Sequence, residues 1–382
     1  MLRFLDAGES HGRCLIGIIE GLPAGLSIDE EKINFNLKRR QGGYGRGERM
    51  KIEQDQVEIL SGLREGKTIG SPLILMIKNK DWENWSEKEY PPLTIPRPGH
   101  ADFAGAIKYG FKDLRKVLER ASARQTAMRV AIGSVAGILL EEFNINTYSD
   151  VLRIGPVKAH RITSFNPEVK AEINESPVFC LDGIASLGMC REIDRAREKG
   201  DTLGGIFEVI ISGVPIGLGS YVQWDRRLDA RLASALMSIP SVKAVEIGEG
   251  IEASKKKGSA VHDEIFVQEE LKNNSSRYFR KSNRAGGLEG GVTNGEEVII
   301  RAYLKPIPTL INPLCSIDFA TKRETKATYQ RSDICVVPAA CVVGEEVAAW
   351  EIATAFLEKF GGDSLVEIKE NYKNYRDRLQ EL

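Results

Sequence analysis

The sequence predicts a layered α/β fold, and three observations carry that expectation. Short Ile- and Val-rich runs closed by Gly or Pro alternate with longer stretches of helical period. The unit of helix, tight turn and strand recurs along the chain. A length of 382 residues would ordinarily suggest two or three domains, but no stretch has linker composition, which argues against separable ones.

Taken in order, Met1 leads into the strand-like LRFL, and 14–20 is the first clear strand. Ser27 with Glu30 forms a capping-box signature before Ile33 and Leu37, one helical turn apart. Strands are expected at 57–63 and 72–78. The clearest helix is expected from Ala121 to Glu142, where Ala127, Met128, Ala131, Ile132, Val135, Ile138 and Leu139 keep the spacing of a packed face. Gly133 and Gly137 on it would let a neighbouring element approach closely. Further strands are expected at 206–212, 242–247 and 297–304, and helices near 226–239 and 343–360. In the tail, Leu365, Ile368, Tyr372, Tyr375 and Leu379 line one seam of a helix over 365–382, suited to its own core or to a subunit contact.

Fifty-three basic residues nearly cancel 54 acidic ones, so no overall charge marks a nucleic-acid or membrane binder. Anion binding must come from local clusters. Six cysteines form no CxxC pair, and the four histidines lie far apart, so free thiols are expected and no metal site. No apolar run approaches the ~18 residues of a membrane span, and no basic-then-apolar leader opens the chain. A cytoplasmic protein is expected.

Two catalytic motifs fail on context. Gly8-Glu9-Ser10-His11-Gly12 fits GxSxG, but a strand follows where a nucleophile elbow needs a helix. Gly62 to Thr68 resembles a phosphate-binding loop one residue too short, and is better read as a hairpin. GxGxxG is absent, so a dinucleotide-binding Rossmann unit has no support.

Five constellations remain. Glycines flank Ser10 and His11, letting the backbone bring a hydroxyl and a titratable imidazole close to a ligand. Arg97-Pro98-Gly99-His100-Ala101-Asp102 fixes a turn before a helix, with Asp102 as a candidate cap. Arg39, Arg40, Arg46 and Arg49 interleave with glycines, and guanidinium forks suit phosphate and carboxylate. Arg120, Arg124 and Arg129 gather at the expected start of the long helix, where N–H groups also attract anions. Glycine-rich 282–291, the Lys305-Pro306-Ile307-Pro308-Thr309 segment and Arg331-Ser332-Asp333 complete the set. Together they point to an enzyme that gathers arginines and two histidines around a phosphate-bearing substrate and cofactor. A non-catalytic anion binder is the rival; RNA binding by the Arg/Gly loop is weakened because Tyr44 is its only stacking aromatic.

In this order the blocks GESHG, RRQGGYGRGERM, RPGHAD, ERASARQTAMRVAIG, MSIPSVKAVEIGEG, SNRAGGLEGG, KPIPT and RSD closely resemble those of the chorismate synthases, over essentially the whole chain. The resemblance implies a single-domain β-α-β sandwich, a homotetramer, and 1,4-anti elimination of phosphate from 5-enolpyruvylshikimate 3-phosphate with reduced FMN. It implies His11 as general acid at the leaving phosphate, His100 at the reduced flavin, and Asp333 in proton removal. FMN contacts would fall on Arg120, Ala121, Ser122, Pro240, Ser241, Gly290, Lys305, Pro306, Ile307, Pro308, Thr309 and Arg331. Substrate contacts would fall on Ser10, Arg40, Arg46, Arg49 and Arg124. Arg40 and Arg46 are also linked to NADPH as a reductant, although an external flavin reductase is the expected source. Ala121 stands where serine is common, and Pro240-Ser241 replaces a polar residue followed by alanine.

Overall fold

The computed structural model describes residues 1–47, 54–85, 90–161, 165–267, 277–328 and 332–381. The strands of its two larger sheets are β1 (Arg3–Ala7), β2 (Cys14–Glu20), β3 (Val57–Ser61), β4 (Leu73–Lys78), β5 (Asn146–Ile154), β6 (Val157–Lys158), β7 (Gly205–Ser212), β8 (Val242–Ile247) and β9 (Val298–Leu304). The helices that matter here are α1 (Glu30–Gln41), α2 (Asp102–Tyr109), α3 (Arg115–Ala121), α4 (Thr126–Glu141), α5 (Pro167–Glu175), α6 (Gly183–Glu198), α7 (Leu228–Met237), α8 (Val337–Phe360) and α9 (Leu365–Glu381). Mixed helix and strand content is as expected.

Two antiparallel sheets organise these elements, in strand orders β1-β2-β4-β3 and β8-β9-β7-β5-β6. In the first, Leu15 and Ile19 of β2 and Leu73, Leu75 and Ile77 of β4 are buried on one face. Gly17 shares that face, and a Cβ there would stand 2.6 Å from the Met128 sulfur of α4, so glycine lets the helix sit against the sheet. α8 meets the second sheet in the same manner: a Cβ on Gly344 would lie 2.3 Å from the Phe207 ring. α4 and α8 are buried on nearly all sides, which is why their sequences show little amphipathic contrast.

Where the two helices cross, a Cβ on Gly133 would come within 2.3 Å of the Glu346 carbonyl oxygen. Gly133 therefore permits the close approach foreseen for it, whereas Gly137 faces open space. Beside this crossing Glu345 is fully buried and bonded by Arg39 (2.8 Å), Ser149 (2.7 Å) and Lys170 (2.7 Å). Burial, then the neighbouring Glu345 charge, pushes the Glu346 carboxyl up to about 8. Arg39, with Lys170, instead holds Glu345 down near 2 against the cost of its burial.

Three local expectations are corrected. The helix expected from Ala121 is interrupted: α3 ends there, Ser122 is extended (φ −64°, ψ 146°), and its hydroxyl caps a 3-10 turn before α4 starts at Thr126. α1 is capped by Asp29, accepting from Glu31 N–H at 2.9 Å, rather than by Ser27. Asp102 does not cap α2; the N-cap is Ala101, and the Asp102 carboxylate turns to side chains described below. At the other end, Leu365 and Ile368 of α9 are buried, while Tyr372 and Tyr375 pack on Phe360 of α8. All six cysteines are free, with Cys180, Cys335 and Cys341 buried and Cys315 exposed. Among the described residues no helix is long and apolar enough to cross a membrane.

Candidate active site

The turn joining β1 to β2 carries Ser10 and His11. Gly8 has φ +113°, and a Cβ there would lie 2.4 Å from the Cys14 carbonyl oxygen, so this turn requires glycine. Asn79, just past β4, pins the turn by donating to the Glu9 (3.1 Å) and Gly12 (2.6 Å) carbonyls. Glu119 on α3 holds it from the other side. Its main-chain oxygen accepts from Ser10 N–H at 2.9 Å, one carboxylate oxygen accepts from His11 N–H at 2.8 Å, and the other lies 2.8 Å from His11 Nδ1. Trp85 covers the imidazole with ring centroids 4.2 Å apart. Ser10 Oγ is 3.2 Å from Ser122 Oγ, so the interruption between α3 and α4 is what brings that hydroxyl to the turn.

Next to Ser122 the arginines converge on a buried acid. Arg124 donates to both oxygens of Asp55 (2.6 and 2.7 Å) and to Asn79 Oδ1 (2.8 Å). Arg40, at the end of α1, donates to Thr126 Oγ1 and the Ala123 carbonyl, both at 2.9 Å, and its Nη1 stands 3.6 Å from Asp55. That nitrogen is buried without a hydrogen-bond partner. Burial lowers Arg40 to about 9; Asp55 opposes the shift, and the charges of Arg46 and Arg124 add to it. The group stays cationic at neutral pH, in a place where a further anion would be stabilising. Arg46 pairs with Asp333 at 3.3 Å, and Asp333 also accepts from Gly47 N–H at 2.6 Å. Thus Ser10, His11, Ser122, Arg40, Arg46, Arg124 and Asp333 fall in one neighbourhood.

A second network holds His100. Its Nδ1 is 2.6 Å from Asp102, whose carboxylate also accepts from Arg97 Nε (2.8 Å), Nη2 (3.1 Å) and backbone N–H (3.1 Å). Burial works against the charged form of Asp102, yet the His100 and Arg97 hydrogen bonds and the Arg97 charge hold it well below the usual carboxylate range. Arg97 Nη1 reaches Thr309 Oγ1 at 3.3 Å, and Lys305 Nζ donates to the Gly99 carbonyl at 2.9 Å, so the 305–309 segment lies against this turn. Ser241 (φ +74°) accepts from Lys305 N–H at 2.9 Å, with Pro240 beside it. Pro306 is exposed, while Ile307 and Pro308 are half-buried.

The remaining candidates are less central. Arg120 is tied to the base of the first turn, donating to Asp6 Oδ1 (2.8 Å) and the Gly8 carbonyl (3.1 Å), and Ala121 packs on the small cluster of Ala106, Leu114 and Val117. Gly290 lies between the short strands Leu288–Glu289 and Val292–Thr293, near Tyr221. Arg49 and Arg331 lie outside the described residues. A surface cavity of about 360 Å³ between Glu142–Asn144 and α9 is lined by none of these groups. Sequence reasoning missed Glu119, Asp55, Asn79 and Thr126. Glu119 and Thr126 lie within the ERASARQTAMRVAIG block without a role of their own there, and Asp55 and Asn79 belong to no motif.

Buried guanidiniums gathered on one acid, beside an imidazole held by a carboxylate, define an anion-binding acid–base enzyme. A family profile described as chorismate synthase matches residues 2–357. Chorismate synthase of Desulforudis audaxviator (strain MP104C) is 56% identical over 389 residues, covering 100% of this chain and 98% of that one. That of Geobacter metallireducens is 54% identical over 391 residues, with both chains fully covered. A crystal structure of chorismate synthase superposes with a TM-score of 0.81 at 41% identity, covering 100% of this chain and 99% of the other. The chain belongs to the chorismate synthase family. It is a carbon–oxygen lyase of the shikimate pathway, whose reaction is the flavin-dependent elimination of phosphate from 5-enolpyruvylshikimate 3-phosphate to give chorismate.

Proposed function

We propose that the Arg40, Arg46 and Arg124 set, with Ser10 and Arg49, binds the phosphate and two carboxylates of 5-enolpyruvylshikimate 3-phosphate. The observation that carries this reading is the burial of Arg40 and Arg124 around one carboxylate, Asp55, with a partnerless Arg40 nitrogen. Such a surplus of buried cation suits a polyanion. His11 acts at the leaving phosphate, donating a proton as negative charge builds there, and Asp333 assists removal of the proton from the far carbon, which would pass by way of the flavin. Trp85 over the His11 ring keeps water from one face of the acid.

FMN fits the second network. Burial and the neighbouring Lys243 charge lower Lys305 below the usual lysine range, a strain that a phosphate would relieve. Lys305, Thr309 and Ser241, with Pro240, Pro306, Ile307, Pro308, Arg120, Ala121, Ser122, Gly290 and Arg331, would hold it, and His100 would protonate or stabilise its reduced form. Bound and reduced, the flavin supplies electron density transiently to the departure of phosphate, with no net redox change. An external flavin reductase is the source of reduced FMN, with NADPH at Arg40 and Arg46 as the alternative. The active form is a cytoplasmic homotetramer of single-domain β-α-β sandwich subunits, which binds neither nucleic acid nor membrane. The test is anaerobic phosphate release with reduced FMN, oxidised FMN or none. Turnover is expected only with the reduced cofactor, and equal rates in all three would refute the reading.

A further inference from the structure

We propose that Glu119 is the positioning residue for His11, making Nδ1 a hydrogen-bond donor in both charge states so that Nε2 is the atom that exchanges the catalytic proton. The proposal rests on the reading of His11 as the acid at the leaving phosphate. Its evidence is the three-point hold of residue 119 on residues 10 and 11, in which the two carboxylate oxygens have different tasks.

One oxygen is taken by His11 N–H, a main-chain donor that cannot change role. The other faces Nδ1 at 2.8 Å, and a carboxylate only accepts, so Nδ1 must carry the hydrogen. With one end of the carboxylate fixed by the backbone, the other cannot turn away without breaking two bonds. Ring orientation and tautomer are thereby set together. Trp85 on the ring face and the Ser10 bond to the Glu119 carbonyl limit the remaining freedom.

This arrangement gives the isosteric change Glu119→Gln an unusual consequence. An amide has one accepting and one donating end. Since the backbone N–H of His11 needs an acceptor, the amide oxygen goes to it and the NH2 group faces Nδ1. Nδ1 must then accept, so the neutral ring takes the Nε2–H tautomer and the imidazolium loses its partner. The main-chain bond is kept, so the turn keeps its shape.

The experiment uses the full chain with ring-15N histidine, assigned by comparison with His11→Ala, and anaerobic kinetics with reduced FMN and 5-enolpyruvylshikimate 3-phosphate. Wild type should show the Nδ1–H signature for His11. Glu119→Gln should shift it to Nε2–H and lower kcat by ~10²–10³-fold with KM nearly unchanged. Glu119→Asp, which keeps two acceptors, should retain Nδ1–H and recover part of the rate; it also keeps the test open should the amide variant fold poorly. A wild-type kcat in Glu119→Gln, or a slow enzyme whose Nδ1–H signal is unaltered, overturns the proposal. Near-wild-type turnover in His11→Ala would instead overturn the underlying reading of His11, and with it this one.

Discussion

The two histidine networks solve one problem in opposite ways. His100 is held from within its own turn: Arg97 and Asp102 lie three and two residues away, and Thr309 and Lys305 join the cluster from elsewhere. His11 is held by Glu119, 108 residues distant, and its arginine neighbours meet Asp55 and Asp333 from three further segments. A local cluster can take shape as soon as its turn and α2 form. The other exists only after β2, β4, α1, α3 and α4 have packed, so it reports on the whole fold.

That contrast orders the expected effects of mutation. His11→Ala should lower kcat by ~10²–10⁴-fold with substrate binding largely kept, and rates close to wild type would remove His11 from the chemistry. Asp55→Ala should then cost about 3–5 kcal/mol in urea denaturation, because two buried guanidiniums lose their counter-ion. A cost under about 1 kcal/mol would mean that the distant network does not depend on this acid in the way its geometry implies.

The local network should declare itself through acid. A carboxyl whose folded pKa is depressed contributes stability that is present above its unfolded value and is lost as pH falls through the folded one. For Asp102 the loss begins below about pH 4, the ordinary aspartate value. The thermal midpoint of the wild-type chain should decline there, and Asp102→Asn should decline less steeply; parallel slopes would contradict the assignment. The smallest effects belong to the long hydrogen bonds at the edge of each network. Thr309→Val (3.3 Å) and Ser10→Ala (3.2 Å) should each cost about 0.5–1.5 kcal/mol in chemical denaturation.

The same contrast explains what could be read from the sequence. Strands 14–20, 242–247 and 297–304 were legible because β-branched runs end in glycine or proline, and the structure places β2, β8 and β9 within a residue of them. The 62–68 segment is the hairpin its composition implied. Ser122 was not legible as an interruption, because Ala121, Ala123, Arg124 and Gln125 are all good helix formers; the break is favoured by Ser122 capping the 3-10 turn and by the tertiary pull of Ser10, Asn79 and Asp55. Asp102 was visible as a polar residue at a helix start but took the wrong role, since a cap and a side-chain partner look alike in one dimension. Glu119 opens the ERASARQTAMRVAIG block, but nothing local marks it as a partner of His11, and Asp55 has no local signature at all. Their partners are remote, and only the folded chain brings acid to base.

The last turn of α1 has a consequence of its own. Consecutive residues there serve different masters: Arg39 turns inward to Glu345 at the helix crossing, and Arg40 turns to Asp55 beside the arginine cluster. Interior and catalytic surface therefore share a single foundation one peptide wide. With Arg40 binding substrate as proposed, a change at Glu345 would tilt that footing and be felt as altered grip on the ligand, so the deep interior and the arginine cluster cannot vary independently.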